Sequence, residues 1–131
     1  MILLEELNPV NLSERTKEVI KVLKYEIERL DAGDERNPPT QDGNEKLEAL
    51  VVDYQQLVQR TRKHMLEGNP DETTRKIANK LENSWRDIYH NYVVKYKELV
   101  VEYNKTHENK LKPLDIRMDY EITESVKYFD Y

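Results

Sequence analysis

Apolar residues recur at steps of three or four along residues 77–103, which is the spacing of one face of an α-helix. The pattern also repeats after eleven residues, as in Leu81 and Tyr92, and this interval is typical of a nearly straight helix. Asn69 suits the N-cap position that would start such a helix. The sequence therefore predicts one helix over residues 70–107, roughly 55 Å long, with shorter elements packed along it.

Two shorter segments carry the same helical spacing. Ser13 suits the N-cap of a helix over residues 14–30, and a heptad-like apolar row, typical of coiled coils, predicts another over 44–67. Residues 31–43 between them contain paired prolines and two glycines, which predicts a mobile loop. Gly68 leaves a very short connection to the long helix, so the second and third helices are expected to form an antiparallel hairpin.

The hydrophobic pattern changes near the end of the sequence. Apolar and polar residues alternate over residues 114–122, which is the pattern of a strand. A single strand needs a partner for its edge, and three partners are open: residues 1–7, the same strand of a second copy, or another protein. The chain remains rich in apolar and aromatic residues up to its end, so residues 113–131 are either a docked tail or the start of a further domain.

These patterns predict an all-α fold, in which residues 1–112 form a three-helix antiparallel bundle with one long C-terminal helix and residues 113–131 form a short strand-like tail. Of the 131 residues, 36% are charged and 37% are hydrophobic. This surface-rich composition fits a thin bundle, which encloses little volume for an active site. The sequence contains no Gly-rich phosphate loop, no HExxH motif and no recognisable Ser-His-Asp set, so it predicts neither an enzyme nor a cofactor site.

Charge and cysteine content narrow the function classes further. The formal net charge of −5 argues against a general nucleic-acid-binding protein. The sequence has no Cys, which excludes disulfides and thiolate metal sites. Its first residues carry neither a basic region nor an apolar run of membrane-spanning length, so we expect a cytoplasmic protein without membrane contact.

One pair of residues has the spacing of a metal site. Asp87 and His90 are three residues apart, like the carboxylate and histidine ligands of di-iron helical bundles. Such a site needs a second pair on another helix, but the second helix offers only His64, with Thr61 three residues before it. The sequence therefore predicts no metal site, and a metal-dependent helical enzyme is the weakest of the functional alternatives.

The long helix has more apolar length than its hairpin partner is able to cover. The second helix reaches only to about Tyr92, so the apolar residues beyond it need the first helix, the termini or another chain. From this surplus we predict a protein–protein interaction module: an adaptor, an assembly factor, a subunit of a larger complex or a homo-oligomer. The predicted contact residues are Tyr92, Tyr96, Leu99, Val100, Tyr103, Ile116, Met118 and Tyr120.

The most basic short run of the chain, residues 60–64, supports an alternative hypothesis. Arg60, Arg62 and Lys63 would contact phosphates, and aromatic residues of the long helix would stack on bases. However, cations near the C-terminal end of a helix are also favoured by its dipole, and an aromatic row at helical spacing is more often core or interface. Nucleic-acid binding is therefore the second hypothesis, after protein interaction.

Overall fold

The computed structural model describes residues 7–114 and residue 116, and these form an all-α bundle. The helical elements are α1 (Pro9–Ala32), α2 (Gln41–Glu67), α3 (Glu72–Ile88), a π-helical turn (Tyr89–Val93) and α4 (Val94–Thr106). The last three join end to end and are called the long helix below. Within the described part of the chain there is no strand, and the predicted all-α fold is confirmed.

The first helix begins earlier than the sequence pattern predicts. The side chain of Asn8 accepts hydrogen bonds from the backbone N–H groups of Val10 and Asn11, and Pro9 occupies the first helical position. Proline is tolerated there because the N–H that it lacks has no partner within the helix. The prediction that Ser13 caps this helix was therefore wrong, since Asn8 forms the cap one turn upstream.

The other two helix starts also depend on side-chain caps. The hydroxyl of Thr40 accepts a 2.9 Å hydrogen bond from the N–H of Gly43, so α2 begins before the predicted residue 44. The long helix is capped by Asp71, whose carboxylate accepts a 2.7 Å hydrogen bond from the N–H of Thr74, and not by Asn69. Each cap satisfies an N–H group that would otherwise lack an intrahelical acceptor.

α1 and α2 run antiparallel and approach closely at one end. Arg15 of α1 pairs with Asp53 in the middle of α2, with 2.8 Å between Nη2 and Oδ2. Towards the end of α1, the Glu26 carboxylate lies against Gly43 in the first turn of α2, where an added Cβ would lie 3.2 Å from Oε1. A glycine thus allows the close approach, and the carboxylate lies near the positive end of the α2 dipole.

α2 and the long helix form the predicted antiparallel hairpin. Arg62 near the end of α2 pairs with Glu82 near the start of the long helix. At the opposite end of the hairpin, the Tyr96 hydroxyl donates a 2.5 Å hydrogen bond to Oδ1 of Asn44. Since α1 and the long helix are both antiparallel to α2, they run parallel to each other.

The π-helical turn shifts the buried row of the long helix by one residue. Ile88 is fully buried, and the next fully buried residue is Val93, five positions later, followed by Tyr96 and Val100. An uninterrupted α-helix would have placed Tyr92 in this row, as the sequence pattern predicts. The extra residue of the π turn moves Tyr92 to a half-buried position beside the core.

After α4 the described chain packs back against the bundle. Its residues 111–114 and 116, called the C-terminal segment below, bury the side chains of Leu111, Leu114 and Ile116. Both backbone groups of Lys112 are held by side chains of α2. Its N–H donates to Gln41 Oε1 at 2.9 Å, and its carbonyl accepts from the Nδ2 group of Asn44 at 2.8 Å.

Side chains of α4 hold the same segment from the other direction. Asn104 pairs with both backbone groups of Leu111 at 2.8 Å, and Lys97 Nζ donates to the carbonyl of Ile116 at 2.9 Å. In its described part, the region predicted as a strand is therefore held by side-chain hydrogen bonds rather than by strand pairing. The remainder of that prediction, with Met118 and Tyr120, lies outside the described residues.

Candidate interaction surface

Three of the predicted interface residues lie inside the core of this chain. Tyr96, Val100 and Ile116 are each at most 1% exposed. α1 packs along α4, and the C-terminal segment is fastened to α4 and to the start of α2. The apolar part of the long helix that α2 does not cover is therefore covered by α1 and by the chain after α4. These two elements remove the three side chains from the accessible surface.

The other described members of the predicted set are half-buried. Tyr92, Leu99 and Tyr103 are spaced seven and then four residues apart, so they share one side of the long helix. Lys24 Nζ of α1 lies 5.9 Å from the centre of the Tyr92 ring, within the range of a cation–π interaction. The Tyr103 ring stacks on His107 with 3.9 Å between ring centres.

The predicted nucleic-acid contact loses its central residue. Arg62 is 2% exposed and donates from Nε and Nη2 to the two carboxylate oxygens of Glu82, the second at 3.0 Å. Arg60 is half-buried and Lys63 is exposed. A guanidinium held inside the bundle by a bidentate carboxylate does not reach a phosphate, so the three cations do not form one accessible site.

A signal for this burial was present in the sequence. Glu82 lies four positions after Ala78 and three before Trp85, which places it on the apolar side of its helix. A carboxylate at such a position needs a cation from a facing helix, because an unpaired buried charge is very costly. Arg62 is the cation that the hairpin geometry brings opposite it.

The outward side of α1 combines apolar and basic residues. A depression of about 640 Å³ borders this side. We call its lining the outward face of α1, which consists of Lys17, Ile20, Lys21, Val22, Lys24, Tyr25 and Glu28. Tyr25 is half exposed, and its ring also contacts the Arg29 guanidinium at 5.4 Å.

The charge of this face differs from that of the whole chain. It holds three lysines and one glutamate, whereas the chain carries a net charge of −5. Basic side chains around tyrosine and isoleucine suit an acidic protein surface, because tyrosine supplies contact area and the lysines supply complementary charge. The apolar spacing of the sequence does not distinguish this face, and the position of Tyr25 among the lysines is the available signal.

Two buried tyrosine hydroxyls belong to the packing between helices. Burial raises the pKa of Tyr96 well above its usual value, and the nearby Glu26 carboxylate acts in the same direction. Burial also raises the pKa of Tyr54, whose hydroxyl lies 2.9 Å from that of Thr16. Both phenols therefore stay protonated over the physiological range and serve as neutral hydrogen-bonding groups.

The described residues do not assemble the metal site considered from the sequence. Among residues 7–114 and 116 there is no group of three or more His, Asp or Glu side chains placed to hold a metal ion. Asp87 and His90 are both exposed. Within the same described part, no helix combines the length and apolar character needed to cross a membrane.

Comparison of the chain with protein-family models, with curated proteins and with solved structures gave no match in any of the three.

Proposed function

We propose that this chain is a protein–protein interaction module that binds an acidic protein surface through the outward face of α1. The observation that carries the proposal is the depression along α1, where Lys17, Lys21 and Lys24 surround Ile20 and the half-exposed Tyr25. Adaptors, assembly factors and subunits of larger complexes use such surfaces, and a cytoplasmic location is part of the proposal.

The burial of Tyr96 and Val100 supports this placement of the contact surface. A partner that docked on those residues would first have to displace α1 or the C-terminal segment. The outward face of α1 needs no such rearrangement, and binding through a preformed surface avoids the cost of ordering or opening the protein.

The contact between Lys24 and Tyr92 extends the proposed surface onto the long helix. A cation–π contact at a partly exposed site is worth about 0.5–1 kcal/mol, enough to favour one orientation of both side chains. Of the contact residues predicted from the sequence, we therefore retain Tyr92. Leu99 and Tyr103 lie further along the same side of the long helix.

The test is a charge reversal on this face with a matched control. The test variant changes Lys17, Lys21 and Lys24 to Glu. The control variant changes three exposed lysines elsewhere to Glu, namely Lys63, Lys95 and Lys110, and so alters the net charge by the same amount. We expect the first variant to lose its partner, or its self-association if the partner is a second copy, and the control to retain it. Circular dichroism verifies that both variants remain helical.

The readout is the mass of the complex in solution, measured by light scattering during size-exclusion chromatography at low and moderate salt. Association through complementary charges should weaken as salt screens them. If association is equally strong in the first variant and in wild type, the proposed surface is wrong. Loss of association in the control variant alone would move the contact to another side of the bundle.

A further inference from the structure

A second concave site lies between the first half of α1 and α3, and it shares Lys17 with the outward face of α1. It is a crevice of about 270 Å³, called the α1–α3 crevice below. α1 and the long helix run parallel, so the crevice has two distinguishable ends, one near the start of both helices and one about two turns further along.

The end near the helix starts is apolar. Pro9 and Leu12 of α1 line it together with Ile77 and Leu81 of α3. Leu12 and Leu81 are almost fully buried and form its floor, whereas Ile77 is only partly buried. A small aliphatic group placed against these side chains would lose most of its contact with water.

The opposite end carries hydroxyl groups and a cation. Thr16 and Lys17 of α1 and Ser84 of α3 line it. The Thr16 hydroxyl also bonds to the Leu12 carbonyl and contacts the hydroxyl of Tyr54, which holds this end of the crevice in a fixed arrangement. Lys80 lines the α3 side between the two ends.

The two lysines of the crevice are weakly engaged by the protein itself. Lys80 makes no ion pair within the part of the chain that the structure describes. Lys17 lies 3.9 Å from Glu14 at a site where both side chains are more than 70% exposed, and such exposed pairs are worth little. Both ammonium groups are thus able to turn towards an anion in the crevice.

We propose that the α1–α3 crevice binds a small anionic amphiphile, an unbranched aliphatic chain that ends in a carboxylate. The aliphatic chain lies against Leu12, Ile77 and Leu81. The carboxylate lies at the opposite end of the crevice, near Lys17 and Ser84 and within reach of Lys80. The volume is close to the lower limit of small-molecule pockets, about 300–1,000 Å³, which suits a short chain rather than a docked helix.

The experiment titrates the full chain with octanoate and follows backbone amide signals by NMR. We expect saturable shifts that concentrate at residues 9–17 and 77–84. Octylammonium has the same aliphatic chain and the opposite charge, so it should bind at least about fivefold more weakly, which is the size of effect expected from one or two ion pairs near the surface.

A charge reversal identifies the lysine that takes part. Lys80→Glu should weaken octanoate binding about five- to tenfold, whereas the same reversal at Lys95, an exposed residue of α4, should leave binding unchanged. Lys80 is not part of the outward face of α1, so this result is independent of the proposed protein contact.

Two outcomes would overturn the proposal. The first is the absence of saturable binding in the full chain, and the second is equal binding of octanoate and octylammonium.

Discussion

The two ends of the hairpin between α2 and the long helix are fastened in different ways. At the end near the connection, Arg62 and Glu82 form a buried ion pair between the two helices. At the other end, Asn44 accepts from the Tyr96 hydroxyl and donates to the Lys112 carbonyl, so a neutral amide joins two helices and the C-terminal segment. The ion pair at the charged end links α2 to the long helix, and the amide at the neutral end links both of these helices to the C-terminal segment.

This difference reflects which hydrogen-bond donors and acceptors each side chain offers. A guanidinium and a carboxylate match each other in a bidentate pair that uses two guanidinium N–H groups and both carboxylate oxygens. An amide both donates and accepts, so Asn44 is able to bridge a hydroxyl and a backbone carbonyl at once. The neutral end is therefore the one that positions the chain after α4 against the long helix.

The largest effect is expected at the charged end. Glu82→Ala leaves the Arg62 guanidinium buried without its carboxylate, and breaking such a pair from one side costs about 3–5 kcal/mol of folding free energy. Urea unfolding followed by circular dichroism measures this change. Glu72→Ala, which removes an exposed partner of Lys76, is the matched control and should change stability by less than about 0.5 kcal/mol. A small effect of Glu82→Ala would show that water or another group replaces the carboxylate.

A smaller effect is expected at the neutral end. Asn44→Ala removes the hydrogen-bond partners of the Tyr96 hydroxyl and of the Lys112 carbonyl, which should cost about 2–3 kcal/mol. Tyr96→Phe removes only the hydroxyl and should cost about 1 kcal/mol. Limited proteolysis by trypsin after Lys110, an exposed residue directly before the C-terminal segment, should accelerate in Asn44→Ala and much less in Tyr96→Phe. Equal acceleration in both variants would indicate that the contact between Asn44 and Tyr96, and not the hydrogen bond from Asn44 to Lys112, holds the C-terminal segment in place.

The fold followed from hydrophobic periodicity because burial of one helix side dominates the energetics of a thin bundle. Details that depend on single hydrogen bonds did not follow from it. Asn8 caps α1 where the pattern favoured Ser13, and the π-helical turn exchanges Tyr92 for Val93 in the buried row. Neither the position of the cap nor the π-helical turn changes the spacing of apolar residues enough to be recognised from the sequence.

The predicted contact residues illustrate the same limit. Periodicity identified Tyr96 and Val100 as residues that need an apolar environment, and both are buried. It did not distinguish a covering by α1 and the C-terminal segment from a covering by another chain, because both remove the same side chains from water. Charge is equally ambiguous in sequence, since Arg62 belongs to a basic run but is buried against Glu82, twenty residues later.

Photo-crosslinking from two positions tests the claim that the outward face of α1 contacts the partner. Tyr25 on that face and Val101 on α4 are both 50% exposed, so they match in accessibility. A photo-reactive amino acid would replace each in turn in the full chain, inside cells. We predict a discrete product of higher mass from position 25 and none from position 101. A product from position 101 alone, or none from either, would contradict the claim.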